Sequence, residues 1–266
     1  MSLTKSISQF IDNTLIDLGR QFRWSYLPPL MIYVAAGISG LTGIVGVFFI
    51  KDYLNLSAAF LAGLGFWAGI PWALKMPLGH LVDLIWQRKN YLVFVGAGLI
   101  ALSVIIMYGL IIHTETMASI LKVETWFIVS ALLAPVGYVT QDVVADAMTV
   151  EAVPSTDDQG NKYPAQQVKT MHTTMQTLGR FAIIGGFVLV ALVNVVMFAG
   201  VSALSEPEKI EIYGRIYLYA LIIPIVSVSG VFLAMYLKRQ RLEKLKKSGV
   251  SDEELKKLMT EYDVGT

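Results

Sequence analysis

The sequence predicts an all-α polytopic membrane protein with six transmembrane helices, and three observations carry that prediction. Hydrophobic residues make up 55% of the 266 and charged residues only 15%. A soluble domain carries roughly 25% charged residues, so the chain lacks the charge to coat a water-facing surface. Mean hydropathy is +0.60. The charges also cluster in short segments between apolar runs, each near the ~20 residues that cross a bilayer.

Residues 1–24 read as a cytoplasmic amphipathic segment. Ile7, Phe10, Ile11, Leu15 and Leu18 recur at helical spacing, which suits a helix lying on the membrane surface. The six-helix domain follows, at 25–237. Its first span runs from Tyr26 to about Ile50, with Gly37, Gly40, Gly43 and Gly46 letting a neighbour approach closely. After the polar turn from Lys51 to Leu56, Ser57 is the N-cap of a second span that reaches Leu81 and is kinked by Pro71 and Pro77. A loop from Asp83 to Asn90 precedes the third span, Tyr91 to Ile112. A loop from His113 to Glu124 precedes the fourth, Trp126 to Val150. The polar stretch Ser155 to Gln166 is an exposed loop. The fifth span runs from about Lys169 to Val201, a loop covers Ser205 to Glu211, and the sixth span runs from Tyr213 to Leu237. Residues 238–266 form a basic cytoplasmic tail in which Ser251 and Glu254 have capping-box spacing.

Lys and Arg near the span ends set the orientation. With the N-terminus inside, the inner segments hold Arg20, Arg23, Arg88, Lys89, Lys162, Lys169 and the basic run from Lys238 to Lys247. The outer loops hold Lys51, Lys122, Lys209 and Arg215. Both termini are therefore expected to be cytoplasmic, in a bacterial inner membrane or its equivalent, with no removable signal peptide. The basic tail reads as a solvated linker or a contact with anionic lipid rather than a specific site.

A charge inside the bilayer costs a few kcal/mol or more and faces a cavity or a partner. Lys75 in span two, Asp142 and Asp146 in span four, and Arg180 in span five are such charges. Asp142 and Asp146 lie four apart on one helical face with Tyr138. His172, Gln176 and Arg180 form a polar stripe at the same spacing, and Trp67 and Trp72 share a helix with Lys75. These residues suit a polar cavity with acids, bases and aromatic walls. They equally suit ion pairs that fasten helices, with Lys75 snorkelling towards the inner surface. Two acids on one face beside bases also have the chemistry of a proton relay.

Other classes find little support. There is no cysteine and the net charge is +1, so thiol chemistry and Cys-based metal sites are excluded and nucleic acid is not an expected partner. No cofactor or metal is expected. No phosphate-binding glycine loop, nucleophile–base pair or metal-ligand spacing appears, so enzymatic activity is not expected either.

Between spans two and three stand Gly79, Asp83, Arg88 and Lys89: a glycine, an aspartate four residues on, then a basic pair. This is similar to the signature loop of the major facilitator superfamily. Three longer segments resemble the folate–biopterin transporter family within it. They run from Gly40 to Ala58 around Phe48-Phe49-Ile50-Lys51-Asp52-Tyr53, from Ile70 to Gly79 (Ile-Pro-Trp-Ala-Leu-Lys-Met-Pro-Leu-Gly), and from Gln141 to Glu151 (Gln-Asp-Val-Val-Ala-Asp-Ala-Met-Thr-Val-Glu). A weaker fourth is Met175 to Arg180 with Gly185-Gly186.

The resemblance implies the N-terminal six-span half of a major facilitator fold and secondary transport of pteridine- or folate-like solutes, with proton coupling. It points to Lys75, Asp142, Asp146 and Arg180, the four residues that burial cost selects. In the gating-loop motif, the aspartate caps a helix end or pairs across the seam between halves. Such transporters have twelve spans and bind substrate between two halves. The expected partners are therefore membrane lipids, a pterin-like solute, and a second copy of the chain or a second membrane subunit. The alternative is a non-transporting subunit or assembly factor of a larger, photosynthetic membrane complex.

Overall fold

The computed structural model describes residues 17–43, 45–46, 56–157 and 161–247. Among them there is no strand beyond an isolated bridge between Thr156 and Lys162. The expected amphipathic helix up to residue 16, the far end of the first span and the Ser251–Glu254 capping box lie outside the described residues.

After a helical turn at Asp17–Arg20, α1 covers Leu27–Gly37. Pro28 and Pro29 sit in its first turn, where a missing N–H breaks no helical bond. It tightens into a 3-10 helix at Ile38–Thr42. α2 covers Ala58–Ala73 and is capped as expected, with the Phe60 N–H donating to Ser57 Oγ at 3.2 Å. α3, Lys75–Leu84, continues the same span after a break at Leu74. Pro77 has no N–H to give the carbonyl of Ala73, so the regular ladder ends there.

α4 spans Asn90–Ile112, α6 Val123–Ala152 and α7 Ala165–Met197. Between α4 and α6 the expected loop contains a short helix, α5, at Thr114–Ile120. The Thr114 hydroxyl donates to the Leu110 carbonyl at 2.7 Å, and the Trp126 indole N–H donates to the Met117 carbonyl at 3.0 Å. α8, Glu206–Ala220, starts inside the other expected loop because Ser205 and Glu208 form a capping box. α9, Ile222–Lys247, follows a second break at Leu221. Pro224 stands to Ala220 as Pro77 stands to Ala73.

Five units are long and apolar enough to cross a membrane: α2–α3, α4, α6, α7 and α8–α9. The chain is an integral multi-pass membrane protein. Of the first expected span the described residues hold α1 and its 3-10 continuation, which are not among these five.

The buried apolar residues form two clusters, one towards each end of the bundle. α6 packs most extensively on α4 and also meets α1, α2 and α3, while α1 is flanked by α7 and α9. Small and polar residues permit this closeness. A Cβ added at Gly96 would lie 2.7 Å from the Gly137 carbonyl oxygen, so α4 and α6 touch backbone to backbone. Gly37 and Gly186 do the same for α1 and α7, whereas Gly43 has open space where a side chain would go. The Ser103 and Ser130 hydroxyls lie 2.9 Å apart between α4 and α6. The Gln141 amide donates to the Val93 carbonyl at 3.0 Å and to Ser227 Oγ at 2.9 Å, tying α6 to α4 and α9. α2, by contrast, contains no buried residue.

Candidate functional site

Lys75 is the first residue of α3, directly after the break in the second span. Its Nζ lies 2.6 Å from Asp142 Oδ2 and 2.9 Å from Asp146 Oδ2, so one ammonium bridges two carboxylates a turn apart on α6. From α1, the Tyr33 hydroxyl donates to Asp146 Oδ1 at 2.6 Å. The Tyr33 ring rests on α7 at Gly179, where an added Cβ would come within 2.8 Å of it. The Thr149 hydroxyl donates to the Asp146 carbonyl at 2.7 Å and accepts from Gln176 Nε2 at 3.2 Å. α3 and α1 thus reach the pair of acids on α6, and α7 packs behind Tyr33 and Thr149.

The cluster is graded from interior to opening. The Asp142 side chain is 10% exposed, Lys75 38% and Asp146 46%. One cation against two anions gives +1 − 2 = −1 when all three are ionised, so a single proton or cation neutralises it. Attraction between such charges is strong where water is scarce, and a buried carboxylate stripped of its partner is strongly destabilising.

The other expected residues fall elsewhere. Arg180 is exposed on α7 and forms no ion pair among the described residues. His172 is half-buried and makes no hydrogen bond among them. Tyr138 packs with the apolar cluster at the far end of the bundle instead of joining the acids. Trp67 and Trp72 are exposed on α2. In the loop motif, Gly79 is not required for space, since a Cβ there would meet Val143 Cγ1 at an ordinary 4.0 Å. Asp83 and Arg88 are exposed. Lys89 is buried, with Nζ 2.6 Å from Glu151 Oε1 and 4.0 Å over the Trp86 ring. It fastens the start of α4 to the end of α6. Among the described residues no group of three or more His, Asp or Glu could hold a metal.

The order of these side chains follows Ile70 to Gly79 and Gln141 to Glu151. The chain is similar to the folate-biopterin transporter of Synechocystis sp., 30% identical over 138 residues. The match covers 50% of this chain and 26% of that transporter, so the chain spans about a quarter of its relative's length. No family model matches the chain, and no solved structure matches it. The similarity makes this a transporter-like membrane protein.

Tyr33 and Thr149 escape sequence reasoning. Neither carries charge, so the cost of burying an ion passes over them. The signal available was Gly179, a bare backbone position next to Arg180.

Proposed function

We propose that the chain is half of a secondary transporter for pteridine- or folate-like solutes, completed in the major-facilitator manner by a second copy of itself or by a separate second half. The observation that carries this reading is the Lys75 bridge between Asp142 and Asp146 on a half-open face. Ions do not face hydrocarbon without large cost, so this face belongs against protein or a water-filled cavity. The unburied α2 beside it supports the same arrangement.

Lys75, or Arg180 beyond it, meets a carbonyl-rich or anionic edge of the solute. Asp146, the more open acid, accepts from the amino edge of the pterin ring. A proton taken up by Asp142 or Asp146 neutralises the cluster's single negative charge, loosens the bridge and so couples proton movement to repacking of α3 against α6. The named transporter to which the chain is similar supports the solute class.

The test is uptake of labelled folate and pteridine into proteoliposomes. Asp142→Asn and Asp146→Asn should abolish uptake while the protein still elutes as a single folded species. Unchanged uptake ends this reading. A dimer mass in mild detergent supports self-completion.

A second reading, a non-transporting subunit or assembly factor, draws on α2, whose lack of any buried residue suits docking to a larger complex. Stable co-purification with a large particle and no uptake would favour it.

A further inference from the structure

α3 meets α6 at Val143, opposite Gly79, and α7 meets it at Thr149 through Gln176. At 3.6 residues per turn these two positions lie about 120° apart around α6, with Asp142 and Asp146 between them. The half-open face between α3 and α7 therefore presents two charged features side by side. One is the Lys75 cluster, with one negative charge in excess and Asp146 at its mouth, 46% exposed. The other is Arg180, exposed on α7 and without an ion pair among the described residues. Arg180 follows Gln176 by one turn, so it stands on the α6 side of its helix. Beyond it the chain is apolar from Phe181 to Val193, so its guanidinium needs water, headgroups or a carboxylate. Both oxygens of Asp146 are engaged within the chain, by Tyr33 and Lys75, yet each keeps a further lone pair.

The two features share one depth. α6 and α7 run antiparallel from the loop that joins them and are tied at Thr149 and Gln176. Counted away from that loop, Asp146 lies three residues past Thr149 and Arg180 four past Gln176, rises of about 4.5 and 6 Å. A half-turn about the membrane normal leaves depth unchanged and exchanges left for right. Placed through the acids, such an axis would set like charges against each other, which is costly. Placed between Asp146 and Arg180, it sets each against its opposite in a second copy. Ile184 and Phe187, on the same side of α7 as Arg180, are 56% and 53% exposed and supply apolar contact beside that axis.

We propose that the second half is a second copy of this chain, and that Arg180 of each copy pairs with Asp146 of the other. The inference rests on the half-transporter reading, because it names the half that completes it. Each cluster then sums to −1 + 1 = 0. The face is self-complementary, as a two-fold interface requires, and the planar fork of an arginine suits a carboxylate whose two oxygens are both partly open.

Two differently labelled preparations of the full chain would be mixed in phosphatidylcholine vesicles and self-association read by fluorescence energy transfer. Asp146→Asn and Arg180→Gln should each weaken self-association by about tenfold, which is ~1.4 kcal/mol shared between two ion pairs. A dimer of one Asp146→Asn copy with one Arg180→Gln copy keeps a single intact pair, so its loss should shrink to about threefold. Charge reversal sharpens the test. Asp146→Arg and Arg180→Asp should each fail to associate with themselves, whereas a mixture of the two has both pairs and should associate as the parent does. Pairing of Arg180 with Asp146 inside one chain, or of Arg180 with lipid, gains nothing from mixing. A parent that does not self-associate, single variants that associate as the parent does, or mixtures no better than their components overturn the proposal. If the reversed forms fail to fold, the Asn and Gln variants decide. The readout is association and not uptake, so the two readings fail separately. A chain that pairs in this way but moves no solute fails the transport reading alone, and uptake completed by a different second half overturns this inference alone.

Discussion

The Tyr33 hydroxyl donates to Asp146 at 2.6 Å while its ring packs against α7 at Gly179. One side chain therefore joins α1, α6 and α7 at the more open of the two acids. Tyr33→Phe keeps the ring contact and deletes the donor. The expected loss of stability is about 1 kcal/mol, between the values for hydrogen bonds to charged groups and for polar pairs in membranes. Thermal unfolding in detergent reads it. Gly179→Leu should be worse, because it displaces the ring as well.

Lys75→Met removes the cation that serves both acids and leaves Asp142 buried beside no counter-charge. A loss of roughly 3 kcal/mol is expected for a broken buried pair. Adding Asp142→Asn to Lys75→Met should recover part of it, because the orphaned charge is gone. A double-mutant cycle on unfolding midpoints checks this, and strict additivity would contradict the bridge.

Gly96→Val forces a side chain into the Gly137 carbonyl, 2.7 Å from where its Cβ would stand. Overpacking of this kind costs about 1–3 kcal/mol, and the α4–α6 seam should open enough to broaden the elution profile. Gly63→Ala on α2 has no heavy atom within 4 Å of the new Cβ and should elute as the parent does.

The start of α8 carries Glu206, Glu208, Lys209 and Glu211, too many charges for hydrocarbon, so this turn stands in water. There the Ser205 hydroxyl and backbone N–H hold the Glu208 carboxyl below its usual range. A lowered carboxyl pKa means that the cap is fully formed above the unfolded carboxylate pKa and is lost as pH falls through the folded one. Ser205→Ala should therefore speed amide exchange at Glu208 and Lys209 near neutral pH, with little difference from the parent in acid.

The charged part of the site was readable because ions inside apolar runs are conspicuous. Lys75, Asp142 and Asp146 declare themselves by cost, and the i, i+4 spacing puts both acids on one face. Their pairing with each other in preference to Arg180 was not readable, since it depends on how α3 leans on α6 after the break. Tyr33 was hidden because an uncharged tyrosine in an apolar span carries no such cost. The break at Leu74 follows from Pro77 in the sequence. The same geometry at Pro224 was passed over because the apolar run continues through it. α5 went unread because its few polar residues are equally at home in a loop, and only Trp126 and Met117 reveal what holds it.

The break at Leu74 also makes the second span two rods hinged at one residue. Lys75 stands next to that fulcrum, so a tilt of α3 barely moves its ammonium. The ten residues of α3 make an arm of about 15 Å, and a tilt of about 10° sweeps its tip by roughly 2–3 Å. That tip is Leu84, which leads into Trp86 and Lys89. A lever pivoting at the acids of α6 therefore delivers its displacement to Lys89, which is itself tied to Glu151 at the end of α6.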